Sequence, residues 1–202
     1  MARITEEQRR LDLINAAIEV IAEKGVAGAT TRRIAERANS PLTMIHYCFG
    51  TKEDLFYAIF EHMAVKHFGE RIHVRPAVGL GRAAATVVRQ IGKWASEVGP
   101  LAQTEVELMS WMVRQDTEKA RMIYNMTLEV FAAKLRVGLR PDDDKHLVDV
   151  IARIIASYGD GSVLQNLTYA DKASYELCLD SMAEALERLA DAHRIVPAAA
   201  IL

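Results

Sequence analysis

The chain has 202 residues, of which 50% are hydrophobic and 26% charged, and its formal net charge is −2. That length buries one large core or two modest ones, and the balance excludes a disordered chain and a surface that is basic throughout. Cys48 and Cys178 show no C-x-x-C spacing, no run approaches the length of a membrane span, and MARITEEQRR lacks an apolar leader. The expectation is a globular cytoplasmic protein in a reducing compartment, with no membrane partner and no metal.

In chain order, Thr5 and Gln8 form a capping box, and Leu11, Ile14, Ile18 and Ile21 follow at helical spacing until Gly25 stops the helix. Ala2, Arg3, Arg9 and Arg10 make a basic arm or first turn, read either as a solvated terminus or as a phosphate contact. Thr30 caps a short helix with Ile34, Ala35 and Ala38 on its apolar face, and Asn39 suits a left-handed turn. Ser40 is expected to cap again with Pro41 just inside, so that Pro41 to Phe49 forms a second short helix ended by Gly50. Thr51, with Asp54 three residues on, caps the next helix. Two short helices joined by a tight turn and backed by a longer one read as a helix-turn-helix, a motif that places its second helix in the major groove of DNA.

These residues resemble the TetR family of bacterial regulators. That family shows Thr-Thr, Ile-Ala, a Gly-Val-Ser turn, Leu-Tyr-x-His-Phe and Ser-Lys-Glu-x-Leu. Here the same positions read Thr30-Thr31, Ile34-Ala35, Asn39-Ser40-Pro41, Ile45-His46-Tyr47-Cys48-Phe49 and Thr51-Lys52-Glu53-Asp54-Leu55, without a gap. The departures are Asn39 for Gly, Thr43 for a small Gly, His46 for Tyr and Cys48 for His. The resemblance implies phosphate roles for Thr31 and Lys52, pairing of the last two helices with those of a second copy, and a small-molecule effector.

From the residues themselves, Leu42, Thr43, His46 and Tyr47 fall on the groove face of the second short helix, while Ile45 and Phe49, four apart, face inward. Arg32, near a helix start, is placed to reach a phosphate or a guanine edge. Arg33, Glu36 and Arg37 read as a solvated helix face. From Thr30 to Lys52, four basic residues (Arg32, Arg33, Arg37, Lys52) stand against Glu36 alone, a local +3 that localises an electrostatic footprint on an otherwise slightly acidic chain. Cys48 reads as a buried hydrophobe ahead of a redox switch.

A helix from Thr51 carries Leu55, Phe56, Ile59, Phe60 and Met63 and runs toward Arg71, long enough to act as a lever, before Pro76, Gly79 and Gly81 break the chain. Further helices are expected at Arg82 to Val98, Leu101 to Gln115, Thr117 to Val137, Asp142 to Leu167 and Asp171 to His193, with a frayed tail after Pro197. No stretch has the alternation of a strand. The expected fold is therefore all-α, with an N-terminal helix-turn-helix three-helix domain at 1–50 and a larger helical effector-binding and dimerisation domain at 51–202.

Two regions of the larger domain carry candidate sites. Trp94, Leu108, Met109, Trp111, Met112, Met122, Met126 and Tyr158 supply the adaptable and aromatic side chains that suit an effector pocket, although a filled core would use the same residues. Polar partners there are Gln103, Glu105, Ser110, Asn125, Tyr158 or Gln165. Ile151, Ile155, Leu179, Met182 and Leu186 lie on apolar faces of the last two helices and form the expected dimer seam, with an internal two-helix layer as the alternative.

An enzyme is not expected. A di-metal bundle needs Glu-x-x-His on two helices, and the chain offers only Glu70 to His73; G-x-S-x-G, H-E-x-x-H and a phosphate-cradling Gly loop are absent. The reading is a ligand-responsive, homodimeric DNA-binding regulator without a cofactor, a repressor released from a palindromic double-stranded operator by a small apolar or amphipathic molecule. The alternatives are a ligand-independent DNA-binding dimer with a filled core and, more remotely, a helical-bundle enzyme.

Overall fold

Thr5 starts the first helix with its side chain, the hydroxyl accepting the Gln8 amide at 3.1 Å, and α1 (Glu6–Gly28) follows. The structure, a computed structural model, describes residues 5–97 and 99–195. Ala2 and Arg3 of the basic arm, Val98 and the tail after Pro197 lie outside the described residues. Ile14 and Ile21 are buried as spaced, but Leu13, Ala17 and Val20 join them, and Leu11 and Ile18 are only partly covered. Packing against several neighbours widens the buried stripe. Gly25, at φ +68°, interrupts α1 before its last turn. The Val26 amide beyond that break finds its acceptor in the Glu107 carboxylate at 3.1 Å.

Thr30 caps α2 (Thr31–Arg37) by accepting the Arg33 amide at 3.3 Å, and Asn39 takes the left-handed turn at φ +47°. The next start differs from expectation. Ser40 makes no cap, because Pro41 at ψ 141° is still extended and takes the cap position itself; the Ser40 amide closes the turn on the Ala35 carbonyl at 2.9 Å. α3 (Leu42–Phe49) thus begins one residue late, with Pro41 at its cap position and no side-chain acceptor for its first turn. Gly50, at φ +79°, ends α3. Thr51 accepts the Asp54 amide at 3.0 Å and donates its hydroxyl to the Asp54 carboxylate at 2.6 Å, which starts α4 (Lys52–His62). The helix continues through a π-helical segment, Met63–Gly69.

The described residues form two compact units, one of residues 5–63 and 99–123, the other of 64–97 and 124–195. In the first, α1 to α4 pack with α6 (Gly99–Gln115) and the start of α7 (Thr117–Gly138). Leu13, Ile21, Ile34, Ile45, Leu55, Phe56 and Leu108 are fully buried there. Trp111 meets Phe56 edge-on at 5.4 Å, the Thr104 hydroxyl donates to the Ile18 carbonyl at 3.3 Å, and Lys119 pairs with Asp54 at 3.3 Å.

In the second unit α5 (Leu80–Glu97) packs on α8 (Leu147–Tyr169) and α9 (Lys172–Ala192), and its Ala84, Val87, Val88, Ile91 and Trp94 are buried. A Cβ on Gly92 would lie 2.4 Å from Leu179, and the Tyr175 hydroxyl donates to the Gly92 carbonyl at 3.0 Å, so a glycine permits this close approach. α8 starts at Leu147 and not at Asp142. The buried Asp143 is engaged elsewhere: its carboxylate accepts the amides of Leu80 at 2.9 Å and Arg140 at 2.7 Å, capping α5 across the unit. Asp144 accepts the His146 amide at 2.9 Å and completes the turn.

The fold is all-α, and no strand occurs among the described residues. No helix among them is long and apolar enough to cross a membrane.

Candidate nucleic-acid interface

The short α3 divides cleanly between core and solvent. Ile45 and Phe49 are buried, while Tyr47 is 70% and Leu42 44% exposed, and Thr43 and His46 are also exposed. Four polar or apolar side chains thus stand together on the outer face, anchored by two residues spaced one turn apart. His46 Nδ1 sits 3.0 Å from the Gly50 carbonyl. A carbonyl only accepts, so Nδ1 carries the proton and Nε2 faces outward.

The basic residues of this region have different partners. Arg37 is a strap from α2 to α1, donating to Glu23 at 2.7 and 2.9 Å and to Glu19 at 3.0 Å. Those bonds raise the Arg37 pKa and lower that of Glu23. Arg33 donates to the Gly28 carbonyl at 2.8 Å. Arg32 remains outward, its side chain 84% exposed, with a loose i,i+4 pair to Glu36 at 3.0 Å that a phosphate can replace. Thr31 is half-buried at the start of α2. Lys52, first in α4, lays its ammonium 4.9 Å from the Phe56 ring centre, and partial burial there pushes its pKa below the ordinary amine value. Burial likewise raises the Cys48 thiol, which makes it a weak thiolate former.

One contact was not foreseeable from spacing. Arg10 of α1 donates Nη1 to the Cys48 carbonyl at 2.7 Å and lies 4.4 Å above the Phe49 ring. The only local signal was a basic residue in a first turn, which equally describes a solvated terminus.

The eight residues read as pocket lining fall in both units. Leu108, Met109, Trp111, Met112 and Met122 belong to the first, where Leu108 and Met112 are buried and Met122 is 57% exposed. Trp94, Met126 and Tyr158 belong to the second. Trp94 packs edge-on against Phe68 at 5.1 Å and lines a cleft of about 260 Å³ whose charged and titratable lining is Arg71, His73, Lys93 and Glu97. Burial pushes the Tyr158 phenol up to about 12. The same unit contains a pair that sequence reasoning missed: the Tyr124 hydroxyl donates to Asp160 at 2.5 Å. Asp160 retains exposed surface yet is crowded enough that its carboxyl lies above the ordinary range, the Tyr124 bond opposing that rise.

Of the five residues expected at a dimer seam, Ile151, Ile155, Leu179 and Leu186 are buried within a single chain, and Met182 is partly covered. Their apolar stripe covers the inside of the second unit, where it meets α5. What α8 and α9 leave outside is a different set: Val150 at 49%, Leu164 at 51%, Leu167 at 45%, Tyr169 at 76% and Leu177 at 69% exposed. Among the described residues no group of three His, Cys, Asp or Glu is arranged to hold a metal ion.

Residues 13–59 match the family model described as bacterial regulatory proteins, tetR family. Over 192 residues the chain is 28% identical to the HTH-type nicotine-responsive transcriptional repressor HdnoR of Paenarthrobacter nicotinovorans, covering 91% of this chain and 96% of the relative. A TetR-family structure from Streptomyces coelicolor A3 superimposes with a TM-score of 0.67 at 26% identity, covering 89% of this chain and 98% of that one. The multidrug binding protein EbrR complexed with ethidium gives a TM-score of 0.66 at 26% identity, with the same coverage of 89% and 98%.

Proposed function

The chain belongs to the TetR family of helix-turn-helix, DNA-binding transcriptional regulators and is not an enzyme, and from that premise we propose that it is a repressor released from a palindromic operator by a small amphipathic molecule. The observation that carries the reading is the outer face of α3. Leu42, Thr43, His46 and Tyr47 stand exposed on a helix held from beneath by Ile45 and Phe49, the arrangement needed to enter a major groove. In this reading Thr31 and Lys52 meet phosphates, and Arg32 meets a phosphate or a guanine edge. In terms of roles, residues 1–50 form the reading head and 51–202 serve effector binding and dimerisation.

The proposed effector is an organic cation with an aromatic body. HdnoR is named as nicotine-responsive and EbrR is complexed with ethidium. Support within the chain comes from the second unit, which holds Asp160 and Tyr124, a carboxylate and a phenol joined by a hydrogen bond, and has Trp94, Met126 and Tyr158 among its apolar and aromatic residues. Leu108 and Met112, fully buried in the first unit, favour the rival ligand-independent reading at their own positions. A ligand that binds better when the two heads are spread would shift the population away from the operator-binding state.

Homodimerisation is part of the proposal because two heads must lie about one DNA turn apart to grip a palindrome. The exposed Leu164, Leu167, Tyr169 and Leu177, with Met182 beside them in sequence, are the proposed seam. A cytoplasmic location suits the exposed free Cys178. Selection of bound duplexes from a random pool tests the reading: a palindrome with half-sites about one turn apart is expected, and its release by nicotine, together with binding of ethidium to the DNA-free protein, tests the effector class. Enrichment of no sequence would overturn the repressor reading. Enrichment with neither nicotine release nor ethidium binding would favour the ligand-independent alternative.

A further inference from the structure

Among the described residues, side-chain hydrogen bonds hold α3 at one end only. At its start Pro41 offers its first turn no side-chain acceptor. At its end three bonds converge: the Gly50 amide donates to the His46 carbonyl at 3.0 Å, His46 Nδ1 donates to the Gly50 carbonyl at 3.0 Å, and Arg10 Nη1 donates to the Cys48 carbonyl at 2.7 Å. Only the last of these comes from outside the helix, from α1, 38 residues upstream. The eight residues of α3 make about two turns, too few to hold a helix by themselves.

The chemistry of Arg10 fits that task. The Cys48 carbonyl is among the last-turn carbonyls that no helical amide reaches, and a guanidinium there both satisfies it and opposes the negative end of the helix dipole. Its guanidinium carbon lies 4.4 Å over the Phe49 ring centre, so the side chain grips the last turn by a bond and by a cation–π contact. Arg10 and Arg9 are both half-buried, so the contacts and not the burial set Arg10 apart. Arg9 beside it has no side-chain partner among the described residues and carries the same charge.

We propose that Arg10 is a positioning residue for sequence recognition: it meets no phosphate, and by holding the last turn of α3 it sets the rotation at which His46 and Tyr47 meet base edges. The inference rests on the proposed DNA-reading role of that face.

The test measures binding of the full chain to the selected duplex and to a random duplex as a function of salt, for the unaltered protein, Arg10→Ala, Arg10→Gln and Arg9→Ala. Arg10→Ala should lose roughly tenfold or more on the selected duplex and much less on the random one, with its salt slope unchanged. Amide exchange at Gly50 should rise while exchange in the middle of α1 stays as it was, which separates local release of α3 from general loosening. Arg10→Gln keeps a neutral donor and should fall between, and it carries the test if Arg10→Ala does not fold. A salt slope reduced by about one, with equal loss on both duplexes, would mean a phosphate contact and overturn the proposal. So would the same loss of preference in Arg9→Ala, which would trace the effect to charge. If the unaltered protein prefers no duplex, the DNA-reading role of the face fails first, and this inference with it.

Discussion

Glu107 accepts the amide hydrogen of Val26 at 3.1 Å, and the two residues lie 81 apart in sequence. The contact closes the break that Gly25 makes in α1, immediately before the helix-turn-helix begins, and Gln103 steadies the other carboxylate oxygen at 3.2 Å. A helix outside the first fifty residues therefore completes the support of the reading head.

Glu107→Ala should leave the Val26 amide without its acceptor in a place where Val26 itself is buried, and so cost about 1–3 kcal/mol. Glu107→Gln keeps an acceptor oxygen and should cost less. Urea unfolding of both variants measures the difference. An unchanged midpoint in Glu107→Ala would mean that water replaces the carboxylate and that the contact supports nothing.

Asp54 offers a pH test at the start of α4. The Thr51 hydroxyl, and then Lys119, hold its carboxyl below the ordinary range. A depressed folded pKa contributes stability that is present above the unfolded value and is lost as pH falls through the folded one, so this end of α4 should loosen only in acid. Thr51→Val should return the Asp54 titration toward its ordinary value and, by removing the cap, cost about 0.5–2 kcal/mol. Carboxyl chemical shifts followed against pH report the first effect and thermal melting the second. An Asp54 titration unmoved in Thr51→Val would assign the shift to Lys119.

Tyr47→Ala should relax sequence preference with little loss of stability, since Tyr47 is 70% exposed. Ile45→Ala and Phe49→Ala remove buried volume and should cost roughly 2–5 kcal/mol. Melting temperature and site preference measured on the same three variants compare the faces. A destabilised Tyr47→Ala with intact preference would place Tyr47 in a packing role.

Lys52→Ala should lower affinity for all duplexes alike and reduce the salt slope by about one. The ammonium lies on the Phe56 ring, so reaching a phosphate requires it to swing outward. An unchanged slope would mean that Lys52 stays on the ring and that its backbone amide, at the start of α4, is the only part available to a phosphate.

What was legible in the sequence was what is local. Thr5, Thr30 and Thr51 cap the helices they precede because each bond spans three residues, and Asn39 and Gly50 turn left-handed where the chain must reverse. Ile45 and Phe49 point inward for the same reason of period. The misreadings are mostly long-range. Asp142 reads as the start of α8, but its neighbour Asp143 is claimed by the Leu80 amide of α5, 63 residues earlier, and the helix begins only at Leu147. Ser40 reads as a cap until Pro41 stays extended and moves the helix start to Leu42. Arg10 and Glu107 act on partners 38 and 81 residues away, and nothing in their neighbourhoods announces it. Apolar stripes on α8 and α9 are the hardest case, because burial against α5 and burial against a second copy require the same residue types at the same spacing.

Ile151 and Leu186 are buried inside the second unit, at 0% and 2% exposure, so Ile151→Glu or Leu186→Glu would force a carboxylate without a partner into the core and should unfold the protein, costing more than about 4 kcal/mol. Leu164 and Leu177 are at least half exposed in the single chain. A carboxylate at either is tolerated by a monomer and opposed only by a partner, so Leu177→Glu and Leu164→Glu should give folded monomers that bind random DNA but no longer hold two half-sites together. Sedimentation and far-UV circular dichroism on the same samples separate the outcomes. A helical dimer in both surface variants, still gripping the palindrome, would remove this face from the seam, and a folded Ile151→Glu would show that α8 turns that residue outward.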